Sequence, residues 1–239
     1  MARALAGAHR LQSETNHSIK SVSAEVSASS EELALNILEA IGLHLTQGES
    51  TPNSVLPRGG HRNERMLRMD TKSPLLIRDE QPRDREQVRK VNEAAFGRID
   101  EGDLIDRLRI EGAVLLSLVA EVDSQIIGHI LFTRMTVETA QGPVAAVSLA
   151  PMAVLPEHQG RNIGSRLVRL GLARLRDGGE RFVIVLGHKH YYPRFGFSCQ
   201  KARHLASPFP PEAFMALELF GGALEGIHGV VRYPSAFGL

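Results

Sequence analysis

Residues 147–187 read VSLAPMAVLPEHQGRNIGSRLVRLGLARLRDGGERFVIVLG. An apolar run leads into a polar loop with two glycines, then an amphipathic segment, then a second apolar run. A strand, a glycine loop, a crossover helix and another strand in immediate succession restrict the chain to a mixed α/β sheet. The same order builds a cradle for an anion. Backbone N–H groups at a helix start point outward unpaired, the helix dipole adds partial positive charge, and glycines let a phosphate come close.

Two familiar phosphate loops do not match. A P-loop needs a Lys-Ser/Thr pair after its last glycine, whereas Gly164 is followed by Ser165 and Arg166. A dinucleotide fingerprint needs three glycines, and this loop offers only Gly160 and Gly164. The run Gln159-Gly160-Arg161-Asn162-Ile163-Gly164 instead resembles the Q/R-x-x-G-x-G/A motif of the GNAT superfamily of N-acetyltransferases. Asn162 stands where that family usually has glycine, and asparagine is among the side chains that tolerate positive φ. The preceding "LAPMAVLPEHQG" resembles the family's strand and its exit. Downstream, "YYPRFGF" resembles its F-Y-x-x-x-G-F signature at the family's spacing, one helix and one strand later. The longer "VLGHKHYYPRFGF" is similar to a bacterial subgroup of predicted N-acetyltransferases. The likeness covers about residues 75–235.

The resemblance implies acetyl-CoA as co-substrate. Backbone groups of Met152, Ala153 and Val154 are then expected to bind the pantetheine amides. The nest of Gln159, Gly160, Arg161, Asn162, Ile163, Gly164 and Ser165 is expected to hold the pyrophosphate, with Arg161 or Arg166 adding charge. Carried over onto "YYPRFGF", the family's acid for the departing thiolate is Tyr192, while Tyr191 is expected to be structural. A base is not evident, because "VSLAPMAV" holds no acid. Glu121, Glu138 and His129 on neighbouring β runs are candidates, and Glu157 and His158 are expected only to shape the loop. His188 and His190 form an H-x-H without a third ligand at suitable spacing, so no metal is expected.

Elsewhere the pattern gives a first strand in "PLLIRDE", helices in "PRDREQVRKVNEAAF" and "DLIDRLRIEG", and a hairpin of "AVLLSLVAEV" and "QIIGHILFTRMTVET" turning at Asp123 and Ser124. A third run follows in series, and "FMALELF" and "EGIHGVVRYP" are expected to close the sheet. Taken with the resemblance, this order implies a GNAT-like, mostly antiparallel mixed sheet flanked by helices over residues 73–239. Residues 1–72 are expected to be an extension, disordered or weakly helical, with one helix over 29–47. In the crossover helix, Val168, Leu172 and Leu175 are expected to be buried, and Arg166, Arg169 and Arg176 exposed.

The 28 basic and 27 acidic residues nearly cancel. With no basic stripe interleaved with aromatics, nucleic acid is not an expected partner. No apolar run reaches the roughly 18 residues of a membrane span, and the lone Cys199 fits a reducing compartment. A cytoplasmic monomer or homodimer is expected. The implied activity is N-acetyl transfer to a small-molecule or protein amine, and the alternative is a non-catalytic acyl-CoA-binding regulatory module. The acceptor is not readable: Asp100, Glu101 and Asp103 offer charge to a cationic amine, and a solvated helix start explains them equally well.

Overall fold

The structure, a computed structural model, describes residues 74–238; the helix expected over 29–47 lies outside them. Strand β1 (Leu76–Asp79) leads into helices α1 (Arg85–Phe96) and α2 (Asp100–Ile110). A meander follows: β2 (Val114–Val122), β3 (Gln125–Thr139) and β4 (Gly142–Val154). Helix α3 (Ile163–Asp177) crosses over to β5 (Phe182–Leu186). The chain then passes through the short α4 (Cys199–Ala202) and β6 (Leu205–Ala206) to β7 (Phe214–Glu218) and β8 (Gly229–Arg232). The sheet runs β1-β2-β3-β4-β5-β7, with β8 joining β3 and β6. Among the described residues only the β4–β5 and β6–β8 pairs are parallel, so the sheet is mixed and mostly antiparallel, as the sequence implies.

Local chemistry accounts for the elements. Asp123 and Ser124 both hold left-handed φ, at 51° and 64°, the conformation that lets a two-residue hairpin follow the twist of its strands. In α1, Val88, Val91 and Ala95 form the buried stripe, and Gly97 at φ 71° stops the helix. Helix α2 begins at Asp100, three residues ahead of the expected start. Asp100, Glu101 and Asp103 occupy its first turn and Arg107 and Arg109 its last, so both ends complement the helix dipole.

Side chains alternate across the sheet, so β2 and β3 are buried on both faces and read as continuous apolar runs. Leu118, Ile130, Phe132 and Leu149 pack with Leu167 and Val168 of α3. Their chain neighbours Val119 and Leu131 point the other way, to Val88, Val91, Ile105 and Leu108 of α1 and α2, and Ala153 shares that face. Leu172 of α3 is only half-buried, against expectation, while Leu167 is fully buried.

Candidate functional site

Strands β4 and β5 part company at a defined point. They pair from Val147 with Val183 to Leu149 with Val185 and no further. On its other side β4 stays paired with β3 as far as Val154 opposite Gly128. The register with β3 shifts between Met152–Ile130 and Leu149–Phe132, so Ala150 and Pro151 together face Leu131, a β-bulge. Pro151 has no N–H to offer a neighbour. From there to Val154 no strand among the described residues takes up the β5-side edge of β4. Met152 and Val154 face α3, and Ala153 faces α1 and α2.

The loop that follows opens α3. Gln159 folds its amide back to donate to the Val154 carbonyl at 3.0 Å, tying the loop to the strand end. Gly160 and Asn162 both take left-handed φ, 72° and 66°, so asparagine occupies the conformation the glycine of the related motif would supply. The first bond of the helical ladder runs from Arg166 N–H to the Asn162 carbonyl at 3.1 Å. The amides of Ile163, Gly164 and Ser165 precede it and are the orphan donors of the helix start. Arg161 and Arg166 are exposed beside them. Arg169 and Arg176 are exposed as expected, but each stacks on an aromatic ring, Phe195 at 5.5 Å and Phe220 at 5.4 Å.

The two tyrosines of "YYPRFGF" diverge. Tyr192 is 8% exposed, edge-on to Phe197 at 5.7 Å, and its ring rests against Gly187 just past the end of β5. Burial pushes its phenol well above the usual tyrosine value, with Tyr191 adding to the shift, so its proton is firmly held. Tyr191 turns toward the loop that opens α3. A methyl group on Gly164 would lie 2.9 Å from its hydroxyl and 3.5 Å from Met152 Sδ. The Tyr191 hydroxyl thus reaches the first turn of α3.

The candidate bases are engaged elsewhere. Glu121 pairs with Arg78 at 2.6 Å. Glu138 pairs with Arg232 at 2.8 Å and lies opposite Pro143, about 30 Å along β4 from Met152. His129, opposite Ala153, is fully buried. Asn92 Nδ2 donates to the Val88 carbonyl at 2.8 Å and to His129 Nδ1 at 3.0 Å. That assigns the proton to Nε2, which donates to Ser117 Oγ at 3.0 Å, and Ser117 in turn donates to Glu80. Glu80 also accepts from Arg109. His129 thus has no lone pair to offer an amine and serves to tie α1 to the sheet. Asn92, at the centre of this network, is a polar residue on the otherwise apolar stripe of α1, the one trace of it in the sequence.

Asp103 pairs with Arg89 of α1, and Glu101 pairs with Arg98 of the preceding loop at 3.2 Å. His188 Nδ1 accepts from the His190 backbone N–H at 3.3 Å, which binds the H-x-H into its own turn.

A family model for the acetyltransferase (GNAT) domain matches residues 77–199. The uncharacterized N-acetyltransferase YjhQ of Escherichia coli K12 is 41% identical over 137 residues, 56% of this chain and 76% of the relative. The uncharacterized N-acetyltransferase YhbS of the same strain is 32% identical over 166 residues, 68% of this chain and 98% of the relative. The crystal structure of Escherichia coli YhbS in complex with CoA aligns at a TM-score of 0.66 and 32% identity, covering 72% of this chain and 96% of that one. A GNAT family acetyltransferase from Brucella melitensis in complex with acetyl-CoA aligns at 0.59 and 37% identity, covering 69% and 98%. The matched residues run from β1 to the start of α4 and contain the parted strands, the Gln159–Ser165 loop and both tyrosines; the chain belongs to the GNAT acetyltransferase family.

Proposed function

We propose that the protein is an acetyl-CoA-dependent N-acetyltransferase, transferring acetyl to an amine of a small molecule or protein by direct attack. One juxtaposition carries the reading: an unpaired stretch of β4 edge runs directly into a loop whose three leading helix amides have no partner in the ladder. Both are what an amide-containing arm ending in a pyrophosphate requires. The relatives crystallised with CoA and acetyl-CoA support the same ligand here.

Acetyl-CoA supplies the acetyl group as a thioester. The Gly160–Ser165 backbone holds the pyrophosphate and the Met152–Val154 backbone pairs with the pantetheine amides. The acceptor, having lost one proton to water, attacks the thioester carbonyl and forms its C–N bond; the C–S bond breaks as the oxyanion collapses, and the amine's second proton returns through water to refill Tyr192. A β4 N–H beside the bulge stabilises the oxyanion, and Tyr192 holds the proton that the departing thiolate takes. Burial of its phenol keeps that proton in place at neutral pH.

Acetyl-CoA at a hundredfold over its Kd is expected to stabilise the native state by about 2.7 kcal/mol. Gly164→Glu, which puts bulk and negative charge in the nest, is expected to abolish that thermal shift. An unchanged shift in the variant removes the anion-site assignment. One observation favours a second reading, a non-catalytic acyl-CoA-binding module: Glu121, Glu138 and His129 are all engaged by other side chains. Thiol release from acetyl-CoA across an amine panel separates the two, since the module binds without turnover.

A further inference from the structure

The Tyr191 ring is held from several sides. Tyr192 lies edge-on at 5.2 Å and Phe195 at 5.4 Å, the Arg194 guanidinium sits 4.7 Å over the ring, and the Tyr191 backbone N–H donates to the His188 carbonyl at 2.9 Å. A phenylalanine would satisfy every one of these contacts. The hydroxyl alone reaches out, to the first turn of α3, where a methyl on Gly164 would lie 2.9 Å from it and the Ser165 side chain, 4% exposed, interacts with it. A serine in a helix otherwise turns its hydroxyl onto nearby backbone groups and distorts the turn. Here that turn carries the orphan amides.

We propose that Tyr191 is a positioning residue for the phosphate end of the co-substrate: its hydroxyl braces the first turn of α3 so that the Ile163, Gly164 and Ser165 amides face the pyrophosphate. The inference rests on the acetyl-CoA reading above and divides the labour between neighbours. Tyr191 governs cofactor affinity, and Tyr192 the chemistry.

The test measures dissociation constants of acetyl-CoA by calorimetry and of S-acetylpantetheine, which carries no phosphate, by NMR titration. Tyr191→Phe is expected to weaken acetyl-CoA about three- to tenfold, the effect of one hydrogen bond, and to leave S-acetylpantetheine unchanged. Ser165→Ala is expected to weaken acetyl-CoA similarly, and the double variant no further than either single one, because both remove one contact. Unchanged acetyl-CoA affinity in Tyr191→Phe overturns the proposal, as does equal weakening of both ligands. So does a Tyr191→Phe protein that no longer folds, which would make the hydroxyl a part of the core. If the unsubstituted protein binds neither ligand, the acetyl-CoA reading itself falls.

Discussion

The Tyr192 ring lies across Gly187 so closely that a methyl carbon on the glycine would meet Cε2 at 2.1 Å and Cδ2 at 2.4 Å. Gly187 is the first residue past β5, and its N–H donates to the Ala213 carbonyl at 2.9 Å. The ring is thereby set where β5 leaves β4. Gly187→Ala must force either the ring or the tethered backbone out of place. A destabilisation of about 1–3 kcal/mol is expected from overpacking, together with a fall in turnover. Thermal unfolding and steady-state kinetics check both, and a fully active, equally stable variant would show that the ring position is immaterial.

Tyr192 itself is tested by removing one atom. Phenylalanine keeps the ring on Gly187 and against Phe197 but has no proton for a thiolate. Tyr192→Phe is expected to lower kcat by about ten- to several-hundredfold with acetyl-CoA affinity unchanged, the reverse of the Tyr191→Phe pattern. Equal kcat would show that water or the CoA thiolate manages the proton and that "YYPRFGF" marks the fold, not the catalyst.

Much of this was legible in the chain, for physical reasons. The continuous runs over β2 and β3 arise because both faces are covered, and the positive φ at Asp123, Ser124, Gly160 and Asn162 falls on residue types suited to turns. What escaped is long-range. His129 reads as a candidate base until Asn92 from α1 and Ser117 from β2 close on its two nitrogens, contacts between residues 37 and 12 positions apart. The resemblance separates the role of Tyr192 from that of Tyr191, but only the turn at Tyr192–Phe195 shows one hydroxyl sent to the α3 loop and the other ring onto Gly187. That turn, α4 and β6 are too short to leave a periodic signal.

The N-terminal stretch makes a separate prediction. The 166 residues of this chain that align with YhbS cover 98% of that relative, and the family match begins at Ile77. Deleting residues 1–68 is therefore expected to leave cooperative unfolding and acetyl-CoA binding intact. Denaturant titration of the truncated protein checks this, and loss of soluble protein would show that residues 1–68 pack on the domain.

His129 predicts an acid sensitivity whose sign follows from its surroundings. Burial holds the folded-state pKa down at about 3, and the nearby Arg109 charge acts in the same direction. Glu80 lies 3.8 Å from Nε2 and would favour an imidazolium, but Arg109 and Ser117 already occupy its oxygens. In the unfolded chain the imidazole titrates near 6.5, so below that value the unfolded state takes up a proton the folded state refuses. Stability from this group is fully present above about pH 6.5 and is lost as pH falls toward 3, by up to about 1.4 kcal/mol per pH unit. Carboxylates titrate in the same window, so the comparison must be with His129→Gln, which leaves them in place. That variant is expected to be less stable at pH 7.5, because the contacts to Asn92 and Ser117 are disturbed. Its deficit should shrink as pH drops from 6 to 4.5 in chemical-denaturation curves. A deficit constant across that range would mean the imidazole accepts a proton inside the fold, and the donor chain from Asn92 through His129 to Glu80 would have to be reversed.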